Sequence, residues 1–245
     1  MKTSRIRTAG PPRPARWFLV LLLFTSGFTV GIRAAPSWPE ALRQMPLRSR
    51  ALQLNRTNCV QIMLDSFQSN SVVKALIFMP GATDEFYMFR RARADLTNST
   101  LTLFDAVAAL TNQTLIRVTF RPPLLLLHTD EDPLDPQVKI EHPATVARLR
   151  EARFLPHAAF NDRDWDFVEP LLEHHLKVSV YPWRHMYISG HFYRHSLAAW
   201  GLDGWETLET IALAGKTGFT VRRKKVLFEL DERVRATPKF DVFPR

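Results

Sequence analysis

The chain has 245 residues, with 33 Lys and Arg against 24 Asp and Glu, a formal charge of +9. A hydrophobic fraction of 46% supports a folded core and excludes general disorder, and the length fits one large domain or two small ones. Cys59 is the single cysteine, which excludes an internal disulfide framework and any multi-cysteine zinc or iron–sulfur site.

Residues 1–35 read as a signal peptide or membrane anchor. Lys2, Arg5, Arg7, Arg13 and Arg16 lead into the uncharged apolar run 17–30, and the small residues Ala34 and Ala35 follow. Charged, apolar, then small is the order of an export signal. The run is about 14 residues, short of the roughly 18 that span a bilayer as a helix, so cleavage is favoured over a retained anchor. The site is imperfect, because Arg33 lies close before a cut after Ala35 and Pro36 directly behind it. Membrane association through residues 17–32 is the alternative. No cysteine follows the run and no twin arginine precedes it, which argues against a lipoprotein anchor and twin-arginine export.

Residues 36–56 read as a connector with a short helix near 39–44. Residues 60–67 have strand-like apolar content, and Ser69–Ser71 offers a helix cap before a short helix over 72–78 that Pro80-Gly81 ends. The aromatic stretch 85–89 reads as a strand, followed by the basic cluster Arg90, Arg91 and Arg93 and a weaker strand at 95–101. Leu103, Ala106, Val107 and Leu110 then fall at i, i+3, i+4 and i+7, which predicts a helix capped by Thr100 or Thr102. Residues 115–120 alternate as a half-buried strand, Arg121-Pro122-Pro123 breaks it, and 124–128 form a wholly apolar strand.

Residues 130–165 read as a linker: acidic and Pro-interrupted at first, with a basic helix over 144–154 and a turn or helix cap at 161–166. The earlier order then returns. A helix is expected at 167–175 despite Pro170, a strand at 176–183 and another at 191–200. Leu208, Ile211 and Ala212 mark a second helix that Thr217-Gly218 stops. Residues 219–223 and 226–230 close as a hairpin around Lys224-Lys225, and 233–245 form a polar tail.

The sequence order around Thr102-Leu103, Ala106-Val107, Leu110, Thr114 and Ile116, followed by a strand pair, resembles the second half of the secretin and TonB N-terminus short (STN) domain. The second copy supplies the family's Thr-Gly at Thr217-Gly218 before Phe219. Leu115 stands where the family prefers glycine, and the second copy's helix-to-threonine distance reads about two residues short. The resemblance implies an α+β fold of two small two-layer sandwiches built from βαβ units, placed at 57–129 and 166–232. It also implies a non-enzymatic, periplasmic module that binds an envelope protein, such as an outer-membrane channel or receptor, often by edge-strand pairing. Exposed sheet edges leave N–H and C=O groups for another chain to complete.

Other chemistry weighs less. His174, His175, His185, His191 and His195 crowd one stretch, and a secreted hydrolase or metal-dependent enzyme using them is the alternative reading. On a strand, however, His191 and His195 lie about 13 Å apart, too far for one metal. The runs Asp130-Glu131-Asp132 with Asp135, and Asp162, Asp164 and Asp166, lack the central glycine of a calcium loop. No nucleophile elbow, phosphate loop or dinucleotide fingerprint is present. Sequons at Asn55, Asn98 and Asn112 leave a eukaryotic secreted glycoprotein as a further alternative. The expectation is an exported binding or assembly module without cofactor, metal or nucleic acid. Its candidate partner contacts are Arg90, Arg91, Arg93, Arg222, Arg223, Lys224 and Lys225.

Overall fold

The computed structural model describes residues 37–49, 53–54, 58–79, 94–96, 101–129, 133, 135–153, 158–182 and 195–230. The signal or anchor, the strand expected at 85–89, the cluster Arg90, Arg91 and Arg93, the histidines His185 and His191, and the tail lie outside them. The described residues fall within one compact unit, Ala35–Arg245. Among them no helix is long and apolar enough to cross a membrane.

The fold is α+β and internally repeated. The first half runs α1 (Trp38–Arg43), β1 (Gln53–Leu54), α2 (Cys59–Ser66), β2 (Ala75–Phe78), β3 (Ala94–Asp95), α3 (Leu103–Gln113), β4 (Arg117–Arg121) and β5 (Leu124–His128). After β6 (Val138–Ile140) the same order returns: α4 (Pro143–Glu151), β7 (Ala158–Arg163), α5 (Trp165–Leu176), β8 (Ser179–Pro182), β9 (His195–Ala199), α6 (Gly204–Gly215), β10 (Thr217–Val221) and β11 (Lys225–Leu230). The pairings return too. β1–β3 and β7–β9 are antiparallel, β2–β5 and β8–β11 are parallel, and β4–β5 and β10–β11 are hairpins. Even a single backbone bond is copied: Leu103 N–H donates to Met45 O, and Gly204 N–H to Ala152 O, both at 2.8 Å. Elements of the repeat therefore lie inside both stretches that read as connector and linker: α1 and β1 in the first, α4 and β7 in the second, which also holds β6.

The capped helix and hairpin align without a gap. The N-caps Thr102 and Asp203 are 101 residues apart, as are Leu124 and Lys225, which open the last strands. Each N-cap closes a capping box with the third helical residue, Asp105 or Glu206. The expected shortfall of two residues in the second copy is thus corrected: Thr217 matches Ile116, not Thr114. Thr217-Gly218 is not the helix stop either. Lys216 ends α6 in the left-handed conformation, φ 49°, and Thr217 already pairs in β10. Gly218 serves a close approach instead, because a Cβ there would stand 2.6 Å from Gln137 O, against the start of β6.

Two elements come out opposite to expectation. The stretch expected as a strand at 60–67 forms helix up to Ser66, with Phe67 extended behind it; Cys59, Ile62, Met63 and Ser66 lie on its buried face, at i, i+3, i+4 and i+7. Residues 75–78 form strand rather than helix. Asn70 turns the chain ahead of it, its Oδ1 accepting from Val72 N and Val73 N at 2.8 Å each. All four residues of β2 are buried, so no alternation marks a strand buried on both faces.

β4-β5-β2-β9-β7 make a five-stranded sheet and β6-β10-β11-β8 a four-stranded one. The first thus contains strands of both repeats, joined where β2 meets β9 antiparallel. Leu76, Phe78, Leu125, Leu127 and Ala198 face a core with α1, α2 and α3. Their neighbours Ala75, Ile77, Leu124, Leu126, Leu197 and Ala199 face a second core, shared with α4, α5, α6 and the four-stranded sheet. The described chain therefore stacks as helices, sheet, helices, sheet.

Cys59 lies in the first core at 0% exposure, and burial pushes its thiol up to about 12. The thiolate is the reactive form, so native protein should resist a thiol reagent such as DTNB at pH 8, while urea-unfolded protein should release one equivalent at once. Rapid native labelling would contradict the buried site.

Candidate protein-binding surface

The basic turn predicted at residues 222–225 is a tight connection between β10 and β11, closed by Arg222 N–H donating to Lys225 O at 2.9 Å. Its four cations differ in what they meet. Arg222 Nε donates to Glu141 Oε2 at 2.7 Å, and Lys139 Nζ approaches the other oxygen at 3.1 Å. Arg222 first, then Lys139, holds the Glu141 carboxyl below the usual carboxylate range. Lys225 Nζ stands 6.0 Å from the centre of the Tyr181 ring. Arg223 and Lys224 are exposed, with no acidic partner among the described residues.

The backbone of this turn is anchored to two other elements. Thr145 Oγ1 of α4 donates to Arg223 O at 2.8 Å, with Arg148 Nη2 at 3.3 Å from the same oxygen. Ser179 N–H at the start of β8 donates to Lys224 O at 2.9 Å. Beside the turn, between α4 and the end of α5, opens a cleft of about 210 Å³. Leu149, Leu176 and Val178 give it apolar walls, and Arg148, His175 and Lys177 bring cationic or titratable groups to it. Burial, then His174 and Lys177, lowers the His175 pKa, so near neutral pH it lines the cleft as an uncharged imidazole.

Helix ends explain part of this. Arg148 lies in the last turn of α4, His175 in the last turn of α5, and Lys177 caps α5 in the left-handed conformation at φ 53°. Cations there complement the negative end of the helix dipole. That does not account for Arg223 and Lys224, which sit on a hairpin turn beyond any helix. The arrangement brings Arg148 and Lys177 to the lining of one apolar-walled cleft and anchors the backbone of the Arg223-Lys224 turn beside it. Charge and apolar wall stand side by side there, and Thr145 Oγ1, in the cleft lining, also meets His142 Nδ1 at 2.9 Å.

Of the residues singled out in the sequence, Arg222, Arg223, Lys224 and Lys225 belong to this surface. Arg148 and Lys177 were missed as contacts, because only the fold brings them to the turn. The histidine cluster does not assemble among the described residues, where no group of three or more His, Cys, Asp or Glu could hold a metal ion. His174 and His175 stack edge to face on α5 at 4.9 Å. His195 is wholly buried in β9, its Nδ1 donating to Arg163 O at 3.2 Å and its Nε2 without a partner. No family model, curated protein or solved structure matches the chain.

Proposed function

We propose that the protein is an exported, non-enzymatic binding module of the cell envelope that holds an acidic segment of a partner protein at the cationic end of its second repeat. The observation that carries this reading is the exposed pair Arg223 and Lys224, unmatched by acid among the described residues, on a turn whose backbone Arg148 contacts beside the apolar-walled cleft that Arg148 and Lys177 line. Kinship with STN-like units rests on the sequence order around Thr102-Leu103, Ala106-Val107, Leu110, Thr114 and Ile116. The leader 1–35 supports export, which makes a protein partner the better choice over nucleic acid.

Fluorescence anisotropy with labelled hexaglutamate tests the surface, with a single-stranded oligonucleotide as comparator. Binding should weaken as salt rises and drop about tenfold in the Arg223→Glu/Lys224→Glu variant. Equal binding by variant and wild type would remove the turn from the surface. Tighter binding of the oligonucleotide would favour a nucleic-acid partner instead. A pull-down from native envelopes with the same variant then identifies the partner.

A further inference from the structure

The joint between the repeats has a counterpart at β8, an edge of the outer sheet among the described residues. In the joint, Trp200 N–H donates to Lys74 O at 2.9 Å and Met79 N–H turns the other way, to Leu127 O. Alternation along the strand then aims the Leu76 and Phe78 amides at β9, opposite Ala198 and Ser196. Strand β8 holds the place in the second repeat that β2 holds in the first. The register against β11 and β5 matches Val180 to Leu76 and Pro182 to Phe78. Ser179 N–H points inward to Lys224 O, so the outward positions of β8 are Val180 and Pro182.

Neither offers a donor. Val180 N–H is taken by Glu173 Oε1, reaching from α5, at 2.8 Å. Pro182 has no N–H at all. The face of the outer sheet changes in step. Ala75, Ile77, Leu124 and Leu126, which bury against the second repeat's helices, are matched by Ser179, Tyr181, Lys225 and Leu227. Tyr181 is 51% exposed and Lys225 is exposed. The edge and the face that would receive a third unit are both altered.

We propose that β8 is a closed end of the stack: Glu173 and Pro182 withdraw the two donors through which β2 receives β9, and so keep a second copy of this chain from adding its own β1–β3 ribbon there. The closure limits assembly to the two units of one chain and leaves the neighbouring cationic surface clear of self-association.

Hydrogen exchange of the full chain tests the Glu173 contact. The Val180 amide should exchange at least about tenfold faster in Glu173→Ala than in wild type; equal rates would overturn the contact. The closure itself is tested by light scattering across a concentration series. Glu173→Ala/Pro182→Val should gain mass with concentration, while wild type does not gain it through this edge. A synthetic peptide of residues 195–200, the β9 sequence, should bind the double variant and not wild type. A folded double variant, by circular dichroism, that neither self-associates nor binds the peptide overturns the proposal, as does peptide binding to wild type.

Discussion

Between pH 7 and pH 4 the protein is expected to lose about 3 kcal/mol of folding stability through His195. The side chain is at 0% exposure, and burial, the dominant cause, brings its pKa down to about 4 from 6.5. A carbonyl oxygen only accepts, so the bond to Arg163 O places the imidazole proton on Nδ1. A second proton would go to Nε2, which has no partner and faces Gly215, where a Cβ would lie only 3.0 Å away. Over the window from 6.5 down to about 4 the unfolded chain therefore holds a proton that the native chain refuses. Stability rises with pH across that window and levels off above it. Glu209, raised by burial, works in the opposite sense, while exposed Glu40 and Glu141, lowered by their hydrogen bonds, add to the loss at the acid end. Urea midpoints at pH 7, 5.5 and 4 measure the slope, and His195→Leu should flatten it. Equal slopes for the two proteins would mean that His195 is not the group responsible.

The sequence resolves the repeated half of each unit better than the rest, for a physical reason. The helix at Leu103, Ala106, Val107 and Leu110 buries one stripe, so its period is visible, and its hairpin breaks at Pro122-Pro123. Strand β2 buries both faces and shows no period at all. The last turn of α6 is buried almost all round, from Ile211 to Gly215, which blurs its end and made Thr217-Gly218 look like the stop. The sharing of one sheet by two repeats lies beyond any local pattern, because β2 and β9 meet across more than a hundred residues. The basic turn was legible as a charge cluster. Its neighbours Arg148 and Lys177 were not, since each by itself reads as the charged end of a helix. Glu173 was equally hidden: only the turn between α5 and β8 brings its carboxylate back to Val180 N–H.

Replacing Trp165 by alanine should cost about 3–5 kcal/mol, a large share of the 5–15 kcal/mol that a domain commonly holds. The indole is 2% exposed and joins two sheets. Its ring centre lies 4.9 Å from that of His195 on β9, in the five-stranded sheet, and 4.8 Å from that of Phe228 on β11, in the four-stranded one. Truncation leaves a cavity between the two sheets within the second repeat, and β9 ties that repeat to the first through β2. The loss should therefore appear in one cooperative transition, with tryptophan fluorescence and far-UV circular dichroism coincident in urea. Trp165→Phe is the informative control. It keeps an aromatic ring between His195 and Phe228 and deletes the buried Nε1 donor, which has no partner, so it should cost only about 1 kcal/mol. The alanine variant should also weaken the acid sensitivity of the fold. A cavity beside His195 admits water to Nε2, lets its pKa rise toward 6.5 and shrinks the slope between pH 7 and 4, so the two substitutions Trp165→Ala and His195→Leu should be strongly non-additive in that slope. Two separated transitions in wild type, or a full acid slope in Trp165→Ala, would show that the two sheets are not coupled through this indole.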